Sequence, residues 1–102
     1  MVRYGMDKYS IFKTEEYDEW LVEKSDKEKL QIASRLDKIE KHGHFGDIRD
    51  LENDLWELKW KNGRRIYYAY LVEQNILLLL GGNKNGQDKD ITRARKILSR
   101  KI

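Results

Sequence analysis

Leu55-Trp56-Glu57-Leu58-Lys59-Trp60-Lys61-Asn62-Gly63-Arg64-Arg65-Ile66-Tyr67-Tyr68 is where the hydrophobic pattern of this chain changes period. Trp56, Leu58 and Trp60 alternate with Glu57, Lys59 and Lys61, the two-residue repeat of a strand with one buried face. Asn62-Gly63 is a strong hairpin signal, and Arg64 to Val72 forms the return strand. Two registers compete. A two-residue Asn62-Gly63 loop sets Lys61 opposite Arg64 and Trp60 opposite Arg65, which mixes apolar and basic residues on both faces. A three-residue loop, Lys61-Asn62-Gly63, needs Gly63 in the left-handed region, where glycine meets no steric penalty. It pairs Trp60 with Arg64 and Lys59 with Arg65. One face then carries Trp56, Leu58, Trp60, Ile66, Tyr68 and Tyr70 for packing on helices. The other carries Glu57, Lys59, Arg65 and Tyr67, open to substrate. A one-residue slip flips every side chain, so burial selects the second register.

Downstream, Glu73-Gln74-Asn75 turns the chain, and Ile76 to Leu80 is apolar on both faces, as in a strand interior to a sheet. Gly81-Gly82-Asn83-Lys84-Asn85-Gly86 reads as a loop. Asp88 to Ile102 is a basic helix with Ile91, Ala94, Leu98 and Ile102 at its apolar positions. Upstream, Tyr9-Ser10-Ile11-Phe12-Lys13 reads as a first strand. Thr14 caps a helix whose first turn carries Glu15 and Glu16, with Tyr17, Trp20 and Leu21 on one face. Ser25-Asp26-Lys27-Glu28 is a capping box. It starts a helix with Leu30, Ala33, Leu36 (or Ile32) and Ile39 facing inward, ending at Gly43. These elements predict one α+β domain over residues 1–102. An N-terminal strand and a helical hairpin pack on a small, mostly antiparallel sheet with a C-terminal helix.

The chain has 102 residues, with no Cys and no Pro. That length supports one small core that buries about 60–65% of the unfolded surface. Charged residues are 38% of the chain, against about 25% in an average domain. Three Trp, six Tyr and 39% hydrophobic residues still suffice for a core, which excludes wholesale disorder. Without Cys there is no disulfide scaffold, thiolate metal site or Cys nucleophile. Ile76 to Leu80, the longest apolar run, is far short of the ~20 residues that span a bilayer. Met1-Val2-Arg3-Tyr4-Gly5 does not lead into a signal-peptide core. A cytoplasmic protein with no membrane partner is expected. Residues 1–57 hold 10 Lys and Arg against 15 Asp and Glu, whereas residues 58–102 hold 11 against 3. A basic half is the footprint of a polyanion-binding surface, or else a solvated surface with an uneven charge distribution.

His42 and His44 flank Gly43 without a second ligand pair, so they make no metal site and fit a polar loop. Gly81-Gly82 before a helix matches neither the Walker loop nor the dinucleotide fingerprint. The remaining chemistry is basic. Lys59, Lys61, Arg64 and Arg65 lie within seven residues, interleaved with aromatics. Such a hairpin can hold phosphates and stack bases of single-stranded RNA. It can also be an edge hairpin that charge protects from aggregation.

Trp56-Glu57-Leu58-Lys59, Arg65-Ile66-Tyr67-Tyr68, Gly81-Gly82-Asn83-Lys84, Gln87-Asp88-Lys89-Asp90-Ile91 and Ala94, with Trp20-Leu21 and Phe45-Gly46-Asp47, form an ordered set. In it the chain resembles the HigB-like addiction-module killer proteins of the RelE/ParE toxin superfamily, from about Phe12 to the C-terminus. The hairpin loop is shorter than usual there and lacks its Gly-Pro-Gly. Asn85-Gly86 replaces a usual Ser-Thr, and Asn85 can itself cap the last helix. The resemblance implies the toxin of a type II toxin–antitoxin system, with a helix-turn-helix antitoxin as cognate partner. It further implies a ribosome-dependent mRNA endoribonuclease that needs no metal or other cofactor. In that chemistry the RNA 2′-OH attacks its adjacent phosphate, and clustered cations hold the phosphate and offset charge. Carried over, Arg65 clamps the scissile phosphate, Lys59 is a base or charge stabiliser, Lys84 reaches the same pocket, and Tyr67 stacks or relays a proton. Lys61, Arg64, Gln87 and Arg93 are RNA-binding positions, and Asp88 is a helix cap or a catalytic group. A gyrase-directed ParE-like toxin and a non-toxic RNA-binding module with the same fold remain open as alternatives.

Overall fold

The computed structural model describes residues 7–101. Over them the chain runs β1 (Ser10–Lys13), α1 (Glu15–Val22), α2 (Asp26–His42), β2 (Ile48–Asp50), β3 (Trp56–Lys59), β4 (Arg64–Leu71), β5 (Asn75–Asn83) and α3 (Gln87–Lys101). The strands form one sheet in the order β1-β5-β4-β3-β2. β1 runs parallel to β5, and the other neighbours are antiparallel. This is the expected α+β architecture. Ile102, counted above among the apolar positions of the last helix, lies outside the described residues.

The hairpin adopts the register that burial favours. Lys59 pairs with Arg65 and Leu58 with Ile66, Trp60 N–H donates to Arg64 O at 3.0 Å, and Gly63 has φ +101°. The helix caps also form as read. Thr14 accepts from Tyr17 N–H, Ser25 and Glu28 make both halves of the capping box, and Gly43 ends α2 in the left-handed region.

Each face of the sheet has its own core. On one, Tyr17 of α1 and Ile32, Leu36 and Ile39 of α2 pack on Leu58, Ile66, Tyr68, Ile76 and Leu78. On the other, Ala94, Ile97 and Leu98 of α3 pack on Tyr67, Ala69, Leu77 and Leu79. The face expected to be open is therefore largely covered. β5 is apolar on both sides, so the sheet needs a helix on each.

Three further expectations are corrected, and one strand is new. α2 turns Ile32, Leu36 and Ile39 inward, at i, i+4 and i+7, whereas Leu30 is 72% exposed and Ala33 faces solvent. β2, an unforeseen edge strand, pairs with β3; its three residues are too short to show a period. Gly81, Gly82 and Asn83 belong to β5 rather than to a loop. Both glycines permit close approach: a Cβ on Gly81 would lie 2.1 Å from the Trp20 ring, and one on Gly82 2.1 Å from Asp90 Oδ2. Asn83, not Asn85, caps the turn into α3, accepting from Asn85 N–H at 3.1 Å. No helix among the described residues is long and apolar enough to cross a membrane.

The turn between β4 and β5 places both Glu73 (φ +58°) and Gln74 (φ +61°) in the left-handed region, which costs a residue with a Cβ about 1–2 kcal/mol. Gln74→Gly is expected to stabilise the protein by about 0.5–1 kcal/mol after glycine's extra unfolded-state entropy is subtracted. The check is a higher urea midpoint at unchanged slope.

Candidate functional site

Alternation along β3 and β4 puts Glu57, Lys59, Arg65 and Tyr67 on the side that α3 covers. Glu57 is fully buried there, and three elements converge on its carboxylate. Arg49 Nε of β2 lies 3.3 Å from Oε1. Arg65 Nε of β4 lies 4.0 Å from Oε2. Gln87 of α3 donates from Nε2 to Oε2 at 2.5 Å. A buried carboxylate needs charged or hydrogen-bonding partners; here Gln87 hydrogen-bonds it and the two guanidinium groups neutralise it at ion-pair distance. Arg65 is fixed further by Nη1, which donates to Trp60 O at 3.0 Å and to Arg64 O at 2.9 Å. Glu57 and Arg49 were missed in the sequence. The local signal was weak: a carboxylate between two apolar strand residues, Trp56 and Leu58.

Lys59 is half-buried beside this cluster and faces Arg65 across the strands. Tyr67 differs from expectation: it is fully buried and cannot stack on a base. Burial raises the ionisation point of its hydroxyl, and the Glu57 and Asp90 carboxylates raise it further against Arg65 and Arg49. The phenol stays protonated. Arg65, expected to be exposed, is 9% exposed, because its guanidinium serves the hairpin carbonyls.

The other candidates are dispersed. The Lys84 stem lies on Gly63, within 3.4 Å of where a Cβ would stand. With Asn85, Gln87, Asp88 and Lys89 it lines a cavity of about 490 Å³ at the start of α3, joined to the Glu57 cluster through Gln87. Asp88 is exposed in the first turn of α3. Arg64 turns to the opposite face, 5% exposed, where Nη2 donates to Gln31 at 3.1 Å and lies 3.7 Å from Glu28. Lys61 is exposed at the hairpin tip. Arg93 is exposed and borders one cavity with Glu16, Glu19, Glu23 and Asp90 and another with Lys89 and Lys96. His42 and His44 are exposed, their rings 5.7 Å apart. Among the described residues, no three His, Cys, Asp or Glu side chains come together as a metal-ligand set.

Residues 19–101 match the family model of phage-derived Gp49-like proteins. The chain belongs to that family. It is 37% identical over 90 residues to an uncharacterised protein of Haemophilus influenzae, covering 84% of this chain and 88% of the relative. The fold is shared with solved RelE toxins. Free E. coli toxin RelE, solved as a mutant, superposes with a TM-score of 0.69 at 14% identity, over 87% of this chain and 96% of that one. The intact E. coli RelBE toxin–antitoxin complex gives 0.60 at 14% identity, over 74% and 95%. The RelBE2 toxin–antitoxin complex of Mycobacterium tuberculosis gives 0.60 at 11%, over 74% and 98%.

Two outcomes are expected of this Gp49-like chain. Arg65→Ala removes one partner of a buried carboxylate while Arg49 and Gln87 remain, so it should cost about 2–4 kcal/mol in urea unfolding. The Asp90 carboxyl is held above its ordinary range by burial, which the Arg93 guanidinium, the Asn83 N–H and the Lys89 ammonium only partly offset. It binds its proton more readily folded than unfolded, so its contribution to stability is lost as pH rises through the folded value. Asp90→Asn keeps an acceptor for Asn83. It should be more stable than the parent at pH 7 and indistinguishable from it near pH 3, by thermal unfolding at both.

Proposed function

We propose that this chain is a HigB-like toxin of a type II toxin–antitoxin system. On this reading it is a metal-independent, ribosome-dependent mRNA endoribonuclease that arrests growth in the cytoplasm. The pairing of Lys59 with Arg65 beside the Glu57 cluster carries the reading, within a fold shared with RelE toxins. In the reaction the 2′-oxygen bonds to its adjacent phosphorus and the bond from phosphorus to the 5′-oxygen breaks. The 2′-hydroxyl proton leaves and the 5′-oxygen gains one, giving a cyclic phosphate and a 5′-hydroxyl end. Such a step needs cations preset where charge grows on the phosphate. Arg65 has Nη1 committed to carbonyls and Nε turned to Glu57, which leaves Nη2 for a phosphate oxygen. Lys59 offsets the developing charge or takes the 2′ proton. Lys84 and Lys61 hold the flanking backbone, and Gln87 acts through Glu57. Two of the similar structures are toxin–antitoxin complexes, which supports a cognate antitoxin as partner.

Inducing the chain alone, with primer extension on cellular mRNA and a parallel plasmid-supercoiling assay, tests this. Growth arrest with cuts inside translated codons is expected. Lys59→Ala, at a half-exposed position with a small folding cost, should lower cleavage by about 100-fold or more. Relaxed or broken plasmid with intact mRNA, or unimpaired growth, would overturn the proposal.

A further inference from the structure

On the face of the sheet away from Glu57, the turn between α1 and α2 meets the hairpin tip around a cavity of about 200 Å³. Trp20, Lys24, Glu28, Asn62, Arg64 and Asn83 line it. Its polar groups are unequally committed. Asn62 Oδ1 accepts from Arg64 N–H at 2.9 Å, and Asn83 Oδ1 accepts from Asn85 N–H at 3.1 Å. With Oδ1 turned to the backbone, each amide has its NH2 free to donate. Arg64 uses Nη2 on Gln31, while its buried Nη1 has no hydrogen-bond partner among the described residues. Lys24 adds an ammonium, 4.9 Å from the centre of the Trp20 ring. The one carboxylate in the wall, Glu28, has Oε1 engaged by Ser25 N–H and Oγ, and its Oε2 lies 3.7 Å from Arg64 Nη2. Two cations, Lys24 and Arg64, and two amide NH2 groups stand against this single carboxylate, an excess of donors and of positive charge that favours an oxyanion.

Two observations identify the source. The Trp20 ring packs on Gly81 and carries Lys24, so it offers no platform on which a nucleobase stacks. The adjoining helix and its C-terminal end carry Glu15, Glu16, Asp18, Glu19 and Glu23. These repel a phosphodiester chain but tolerate a single charge aimed at Arg64. We propose that this cavity is a carboxylate-binding pocket, which receives an Asp, Glu or chain-terminal carboxylate of a protein partner. Planar carboxylates suit the guanidinium edge and the two amides together. The assignment stands apart from the RNA reading, because it uses the opposite face of the sheet and none of the residues placed in the cleavage site.

The test is side-chain ¹H–¹⁵N NMR of the full chain, titrated at constant ionic strength with acetate, with acetamide and with a short single-stranded RNA. Acetate should give saturable shifts in the Asn62 and Asn83 NH2 signals and the Trp20 indole N–H, and acetamide none. Lys24→Gln and Arg64→Lys should each weaken acetate binding about tenfold. Lys24 is at the rim, so its variant stays decisive if the Arg64 variant unfolds. Acetate shifts that never saturate, or that Lys24→Gln leaves unchanged, would overturn the assignment. RNA moving the same signals at lower concentration than acetate would do so as well.

Discussion

Ile76, Leu77, Leu78, Leu79 and Leu80 leave β5 with no side that water can face, and the rest of the molecule is arranged around that constraint. A strand apolar on both faces must sit inside a sheet covered on both. β1 and β4 flank it, α1 and α2 cover one side, and α3 covers the other. Fully burying each large apolar side chain is worth about 1.5–3 kcal/mol, so these residues outweigh any single polar contact in the fold. The chain can vary its chemistry only where this cover ends, at the β3–β4 hairpin and the β5–α3 junction. Lys59, Lys61, Arg64, Arg65 and Lys84 lie there.

At that margin, polar groups enter a partly dry setting and must be matched. Glu57 is matched by Arg49, Arg65 and Gln87. Replacing a cluster of this kind by apolar residues is often neutral for stability, whereas removing one member is not. What the cluster contributes is position. It joins β2, β3, β4 and α3 at one point and holds the Arg65 guanidinium in one orientation, as electrostatic preorganisation requires. Arg35 has a comparable role on the other face, donating to the carbonyls of Phe45 and Asp47 with its guanidinium 4.3 Å from the centre of the Trp60 ring.

Much of this was legible because burial leaves few choices. The Lys59–Arg65 pairing followed from the wrong-face penalty of the other register, and the caps at Thr14, Ser25 and Gly43 followed from local hydrogen bonding. What was hidden depends on neighbours remote in sequence. Nothing local marks Ile48–Asp50 as a strand, because its single half-apolar residue gains meaning only beside β3. Leu30 and Ile32 compete equally for the inward face until the sheet fixes the rotation of α2. Glu57 looks like one more polar position until α3 closes over it. The glycines at 81 and 82 were conspicuous, but their reason is the Trp20 ring and the Asp90 carboxylate, which arrive from two different helices.

Arg64 and Arg65 show how one strand serves two faces. Two adjacent arginines, 5% and 9% exposed, would repel strongly if both pointed the same way in a medium of low dielectric. Strand alternation sends them apart, each to its own carboxylate: Glu28 from α2 for Arg64, Glu57 from β3 for Arg65. Each also borrows the hairpin backbone. Arg64 N–H bonds to Asn62 at the tip, and Arg65 reaches back to the Trp60 and Arg64 carbonyls. The bulged turn at Gly63 makes both arrangements possible, since a two-residue loop would exchange the faces relative to β3. Arg65 would then lose Glu57 and Arg64 would be turned toward it, leaving each cation without the surroundings that now neutralise it. The turn is therefore selected twice, by the apolar faces it aligns and by the charges it separates.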